Sequence, residues 1–333
     1  MPLPYDPHVI PRRYSVIVIG GGHAGVEAAW AAASVLSGHA GPPPASVALI
    51  AMDAAKIGAM SCNPANGGLA KGQLVREIDA LGGLRGLATD ATGIQFKVLN
   101  TSKGPAVWGP RAQCDKHAYE RAIQAMLASR PEIQVVQGVV DELIVERAPG
   151  RPGAPPRITG VVVGPARSAA PHHAPQSSTS TPTGPEPLHI HEPTLLAADT
   201  VILTTGTFMR ALMHTGESRT PGGRIGEASA EGIAGSLARL GFELGRLKTG
   251  TPPRIARDSI DWHALPEQHG DADPTPFSDL SSRAGHAPIP LAARHPAFPS
   301  LERFPVLPQI ACRITSTTAG AHDLIRANLH RAP

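Results

Sequence analysis

The 333-residue chain has three cysteines, Cys62, Cys114 and Cys312, an odd number spread far apart. That spacing supplies neither a disulfide framework nor a cysteine metal cage, and it points to a reducing compartment. Aromatic residues make up 4% of the chain, so the core has to be built chiefly from aliphatic side chains. No apolar run approaches the roughly 20 residues needed to cross a bilayer, and no membrane span is expected. The β-branched run that starts at Ser15 leaves little room ahead of it for a targeting sequence. Neither charge dominates: 30 Lys and Arg against 27 Asp and Glu leave a net +3. Such a balance suits a polyanionic partner without demanding one.

Glycine is abundant, and its placement is informative. The run Tyr14 to Ile19 leads into Gly20-x-Gly22-x-x-Gly25, and an Ala-rich helical pattern, Val26 to Val35, follows at once. Strand, glycines and helix in that order make a dinucleotide site. Gly20 permits the tight turn, Gly22 lets the backbone approach a pyrophosphate, and Gly25 lets helix and strand pack closely. The first N–H groups of the helix and its dipole then face the phosphates. The next strand is expected at Ser46 to Ile50, with an acid near its end for the ribose hydroxyls. Asp53 is available there, either for that role or as a cap on the next turn. The loop between, Gly38 to Ala45, is Pro-rich and long for the motif.

Lys56 to Gln113 reads as a loop-rich region with short helices such as Gly72 to Leu81. Asp115 to Ser129 has helical spacing of Ala118, Ala122, Ile123 and Met126. Strands are expected at Ile133 to Val136 and Leu143 to Val145, flanking Gly138 to Val140. Ala148 to Pro193 is dominated by Pro, Ser, Thr, Ala and His, apart from a short strand at Ile158 to Val163. It reads as a solvated insertion at a hairpin. His172, His173, His189 and His191 within it lack a Cys or acid to complete a metal site. A strand at Thr200 to Thr207 ends on a glycine turn. Because ligands gather at the carboxyl ends of strands in such sheets, Thr205 and Gly206 are candidate cofactor neighbours. Helices are expected at Glu231 to Leu240 and Asp323 to His330, with a Pro-rich irregular stretch from Ala264 to Pro308.

Several segments are too particular for scaffold. They are Ser61-Cys62-Asn63-Pro64-Ala65-Asn66-Gly67-Gly68 with Lys71-Gly72, then Gly93 to Asn100, Ser102 to Val107, Arg111 to Gln113 and Gly245 to Arg254. With the Gly20–Gly25 turn they make the chain resemble the MnmG or GidA family of tRNA wobble-uridine modification flavoproteins. The resemblance implies an α/β fold: a Rossmann-like FAD-binding domain, glutathione-reductase-like, with an inserted irregular α+β region. Residues 1–164 would form its first part and 165–193 a low-complexity insertion. Residues 194–255 would return to it, and 256–333 would start a second, truncated dinucleotide or substrate domain. The resemblance also implies FAD, NADH as reductant and methylenetetrahydrofolate as one-carbon donor. Its substrate would be tRNA, receiving a carboxymethylaminomethyl- or taurinomethyl-type group at uridine C5. Its partners would be an MnmE-like GTPase and a second copy of the chain.

Carried over residue by residue, Gly20, Gly21, Gly22, His23, Ala24 and Gly25 would hold the FAD pyrophosphate, and Val140 would lie on the adenine side. A serine expected after Gly222-Gly223-Arg224 is replaced by Ala230, with Ser229 beside it as the substitute contact. Cys62 falls on a cysteine implied to act on the uridine ring, where addition of a thiolate to the sixth carbon makes the fifth nucleophilic. Such a thiolate needs a lowered pKa, for which Lys71, Lys103 and Arg111 are candidates. Cys114 and Cys312 read as structural. Lys103, Arg111, Arg246, Lys248 and Arg254 are candidates for neutralising tRNA or flavin phosphates.

Family members continue for nearly as long again, so the chain reads as an amino-terminal part. A non-catalytic FAD-binding remnant or scaffold is therefore an alternative. A folate-dependent tRNA uridine methyltransferase relative and an NAD(P)H–disulfide oxidoreductase are two more. The absence of a cysteine near Cys62 speaks against the last, and the long runs Ser102 to Val107 and Gly245 to Arg254 favour the first reading. Val107 to Pro110, Thr204 to Thr207 and the insertion resemble the mitochondrial branch, so a mitochondrial location is expected, with the bacterial cytoplasm as the alternative.

Overall fold

The β-branched run ahead of the first glycine becomes β1 (Arg12–Ile19), the middle strand of a seven-stranded sheet. The computed structural model describes residues 12–38, 45–60, 63–147, 155–166, 186–250, 255–282 and 304–331. After β1 come α1 (His23–Ser37), β2 (Val47–Ala51), β3 (Ala65–Gly67), α2 (Lys71–Ala80), α3 (Arg85–Thr92), β4 (Gly93–Leu99) and β5 (Gly109–Cys114). Next are α4 (Lys116–Ala128), β6 (Ile133–Gln137), β7 (Val139–Glu146), β8 (Arg157–Gly164), β9 (Leu188–His189) and β10 (Thr194–Leu203). The remainder comprises β11 (Leu212–Thr215), β12 (Ser218–Pro221), α5 (Gly232–Arg239), β13 (Glu267–Gln268), α6 (Asp279–Ser282), β14 (Cys312–Arg313) and α7 (Ala319–Ala327).

The large sheet runs β7-β8-β10-β1-β2-β6-β9. Its centre is parallel, β1 pairing with β10 and β2, and β2 with β6. β8 and β7 add an antiparallel flank beyond β10. Successive side chains of a strand point to opposite faces, and both faces are covered. Val18, Val47 and Leu49 join one buried cluster with Ala29 and Trp30 of α1, Ala88 of α3 and Tyr119 and Ile123 of α4. Ile17, Ile19, Ala48 and Ile50 join a second, with Val140, Val161, Val163 and Ile233 of α5. This is the parallel-rich, Rossmann-like α/β architecture expected. A smaller antiparallel sheet, β3-β5-β4, lies beside α2.

Some elements differ from their sequence signals for identifiable reasons. β7 begins four residues before the expected Leu143, because register shifts between Val140 and Glu142 break the apolar alternation. α7 starts at Ala319 rather than Asp323, capped by the Thr318 hydroxyl, which accepts from Ala321 N–H at 3.2 Å. Its first turn, Ala-Gly-Ala, carries no periodic apolar signal.

The insertion falls between the antiparallel strands β8 and β10, and residues 167–185, with His172 and His173, lie outside the described residues. Its tail is structured, contrary to the 165–193 boundary. Leu188–His189 pairs in parallel with β6, and Ile190 is buried. The His189 and His191 rings stack with centroids 6.4 Å apart. Among the described residues no group of three His, Cys, Asp or Glu could hold a metal ion. No helix among them is long and apolar enough to cross a membrane.

The boundary placed at residue 256 does not separate two cores. Phe277 and Val306 are buried in the same cluster as Val18 and Ala88. Asp90 on α3 has no exposed surface and accepts from Phe277 N–H and Ser278 N–H, both at 2.8 Å. Arg76 on α2 donates to the carbonyls of Pro276 and Phe277. Ile310 N–H donates to Ile94 O at 2.8 Å.

Candidate dinucleotide-binding site

Gly20 leaves β1 with φ +114°, a conformation that side chains disfavour. A Cβ on it would stand 2.3 Å from Thr204 O. The constraint at Gly25 is close approach: a Cβ there would lie 1.7 Å from Gly20 O. Gly22 is different. Its φ is an ordinary −75°, and a Cβ would meet nothing within 4 Å among the described residues. That open space lies at the N-cap of α1, which no side chain caps, so the first N–H groups of the helix are presented to an anion. Thr204, just past β10, locks the turn by donating its hydroxyl to Ile19 O at 2.8 Å.

His23 and Ala24 open the helix. The His23 ring meets Tyr119 edge-on, centroids 5.5 Å apart. Its Nε2 is buried without a partner among the described residues. Burial, helped by the Arg85 charge, lowers its pKa from 6.5 to about 4, so the imidazole sits neutral behind the glycine turn. Because the folded value lies below the unfolded one, the stability tied to this group is full above 6.5. It falls as pH drops towards about 4. NMR titration of the His23 ring should show a midpoint near the lower value; a midpoint at 6.5 would contradict this burial. Below His23, Glu27 accepts from Leu84 N–H at 3.1 Å and Arg85 N–H at 2.7 Å, closing the start of α3.

At the end of β2, Asp53 acts as a cap, its Oδ1 accepting from Ala55 N–H at 2.9 Å. Gly138 N–H donates to Ala51 O at 3.0 Å, which brings the start of β7 beside this edge. The Val140 side chain is in the core, so its backbone is what it can offer a ligand. Thr205 and Gly206 follow β10, the neighbour of β1, with Gly206 at φ +59° and open space around it. The Ser229 hydroxyl accepts from Ala211 N–H at 2.8 Å and donates to Phe208 O at 3.2 Å. It pins the chain there, while Ala230 N–H also donates to Phe208 O.

Ser61 and Cys62 lie outside the described residues. Lys71 begins α2 and Lys103 ends a short turn, Thr101–Lys103; both are exposed. Arg111 on β5 stands in register between Gly67 and Lys97. Arg246 and Lys248 are exposed, and Arg254 lies outside the described residues. Cys114 is buried, and its thiol is pushed up to about 12 by that burial, which leaves no thiolate at neutral pH. Cys312 is half-buried and donates to Gln95 Oε1 at 3.1 Å. Tyr119 and Asn66 are buried under the turn, and the half-buried Arg85 joins them, its Nε donating to Asn66 Oδ1 at 2.7 Å. Of these, only Asn66 stood inside a motif legible in the sequence.

Residues 15–333 match the protein family described as Glucose inhibited division protein A. The chain belongs to this GidA family. It is 44% identical over 325 residues to a protein of Granulibacter bethesdensis named tRNA uridine 5-carboxymethylaminomethyl modification enzyme MnmG, covering 98% of this chain and 42% of that one. A protein of the same name from Rhodopirellula baltica is 45% identical over 322 residues, covering 96% and 41%. The GidA structure from Aquifex aeolicus superposes with a TM-score of 0.70 at 36% identity, over 96% of this chain and 43% of that one. The chain thus spans about two-fifths of the length of these GidA relatives.

Proposed function

We propose that the chain is the FAD-binding part of an enzyme that modifies the wobble uridine of tRNA. The observation that carries the reading is the Gly20–Gly25 turn, with open space at Gly22 ahead of a helix start that no side chain caps. This cradle suits a pyrophosphate, and family membership together with the relatives' names supplies the reaction. In this reading Gly20 to Gly25 hold the cofactor's pyrophosphate, the Gly138–Val140 backbone borders the adenosine, and Thr205, Gly206 and the Ser229–Ala230 segment border the remainder. FAD, when bound, supplies hydride chemistry, with NADH as its source and methylenetetrahydrofolate as the one-carbon donor. Cys62 supplies the nucleophile for the uridine ring, and Lys71 and Lys103 supply positive charge for the thiolate. The group installed is of the carboxymethylaminomethyl or taurinomethyl type, and the partners are an MnmE-like GTPase and a second copy of the chain.

The test is a chimera in which residues 12–331 replace the matching part of a bacterial MnmG, expressed in cells lacking that enzyme. Mass spectrometry of digested tRNA should show the modified uridine restored by the chimera and absent with Gly22→Val. A folded chimera that restores nothing, or a Gly22→Val chimera as active as its parent, would overturn the reading.

A further inference from the structure

Glu120 and Arg224 converge on the turn that leaves β2, a place the glycine signature does not reach. Helix α4 is fastened to that turn by Gln124, whose amide donates to Ala55 O at 3.0 Å and Ile57 O at 3.2 Å. Glu120 lies one helical turn earlier on the same face. The turn is fastened in its own right to the dinucleotide loop, since Gly58 N–H donates to Gly21 O at 2.9 Å. From the other side comes the segment after β12. There Arg224 pairs with Glu227 at 2.9 Å, and its guanidinium lies 5.3 Å from the centre of the Phe208 ring. Lys56 and Arg224 are electrostatic neighbours of both Glu120 and Glu227, and so is Asp53. The two sides therefore face one another across the turn.

Two polar atoms of this cluster are buried with no partner among the described residues: Glu120 Oε1, an acceptor, and Arg224 Nε, a donor. Buried groups left unpaired are rare and call for an explanation. A hydroxyl satisfies both at once, because it donates to a carboxylate and accepts from a guanidinium. Charge narrows the choice of ligand. Three acids, Asp53, Glu120 and Glu227, face the two fixed cations Lys56 and Arg224, with His117 also beside Glu120, so the cluster has no surplus of fixed positive charge to hold a phosphate. Arg224 is moreover already paired with Glu227. Asp53, the acid that a dinucleotide fold places here, has one oxygen engaged as a cap.

We propose that Glu120 and Arg224 together read the ribose 2′-hydroxyl of the cofactor's adenosine half, and exclude a nucleotide phosphorylated there. The proposal deepens the FAD reading above and rests on it. Calorimetric titration of the full chain with ADP, 2′-deoxy-ADP and 2′-phospho-ADP, which share the 5′-diphosphate, tests it. The parent should bind ADP at least about tenfold more tightly than 2′-deoxy-ADP, the range for a hydrogen bond to a charged group, and should bind 2′-phospho-ADP more weakly than ADP. Glu120→Met and Arg224→Met, each of which removes one of the two contacts, should each bring ADP down towards the affinity of 2′-deoxy-ADP while leaving the deoxy ligand unchanged. Equal affinity of the parent for ADP and 2′-deoxy-ADP would overturn the proposal even if the variants failed to fold. So would discrimination that survives in folded variants. A folded parent that binds neither FAD nor ADP would instead overturn the dinucleotide reading itself.

Discussion

Gly25→Ala should cost the chain at least about 3 kcal/mol of stability, the upper range for forcing extra volume into a packed site. The added Cβ would stand 1.7 Å from Gly20 O, 2.7 Å from Thr204 Oγ1 and 2.9 Å from Gly20 C. Two of those atoms are backbone, so no side chain can swing away. Relief requires α1 to separate from β1, which would open the cluster that Val26, Ala29 and Ala33 share with Val18. Gly22→Ala is the control. With φ at −75° and nothing within 4 Å of the new Cβ, it should shift stability by less than about 1 kcal/mol, the size of an N-cap effect. Urea denaturation followed by circular dichroism would separate the two. Equal midpoints for Gly25→Ala and the parent would show that helix and strand are not in the contact described.

Asp90→Ala should be nearly as damaging, at about 2–4 kcal/mol for two buried N–H groups left unpaired. The carboxylate closes the backbone of Phe277 and Ser278 onto α3, and Phe277 is buried in the main core. Its loss should also free the 276–282 segment for early proteolysis. The pH dependence has a definite sign. Burial raises the pKa of Asp90 from 3.8 to about 7, against the pull of its hydrogen bonds. The folded chain thus holds this proton longer than the unfolded one. The stability tied to it is full below 3.8 and is lost as pH rises through about 7. His23 acts in the opposite sense between 6.5 and about 4. The Asp90 contribution therefore shows in the difference between the parent and Asp90→Asn, which keeps one acceptor but cannot ionise. That difference should shrink or reverse against the parent as pH rises from 4 to 7. A constant difference across that range would contradict the raised value.

What was legible in the sequence follows from how local its causes are. β1, the glycine turn and α1 are specified by adjacent residues, and Arg12–Ile19, Gly20–Gly25 and His23–Ser37 stand where the pattern puts them. The cap of α4 was equally local: Asp115 accepts from His117 and Ala118 N–H. Non-local features were not legible. Nothing near Asp90 announces that its partners lie 187 and 188 residues away. The Pro-rich composition after residue 256 likewise hides Phe277 and Val306, which a distant core buries. Leu188 and Ile190 went unread because polar neighbours surround a two-residue strand. At the candidate site, the turn could be read from its glycines, whereas Glu120 and Arg224 come from elements more than a hundred residues apart in sequence.

The central claim is that the Gly20–Gly25 turn holds FAD. The most direct measurement is identification of the nucleotide released when the purified, folded chain is denatured after saturation with equal FAD and NAD and removal of unbound ligand. Chromatography of the supernatant should yield FAD from the parent and little from Gly22→Val, whose branched side chain would fill the space ahead of α1. Recovery of NAD alone, or undiminished FAD from Gly22→Val, would contradict it.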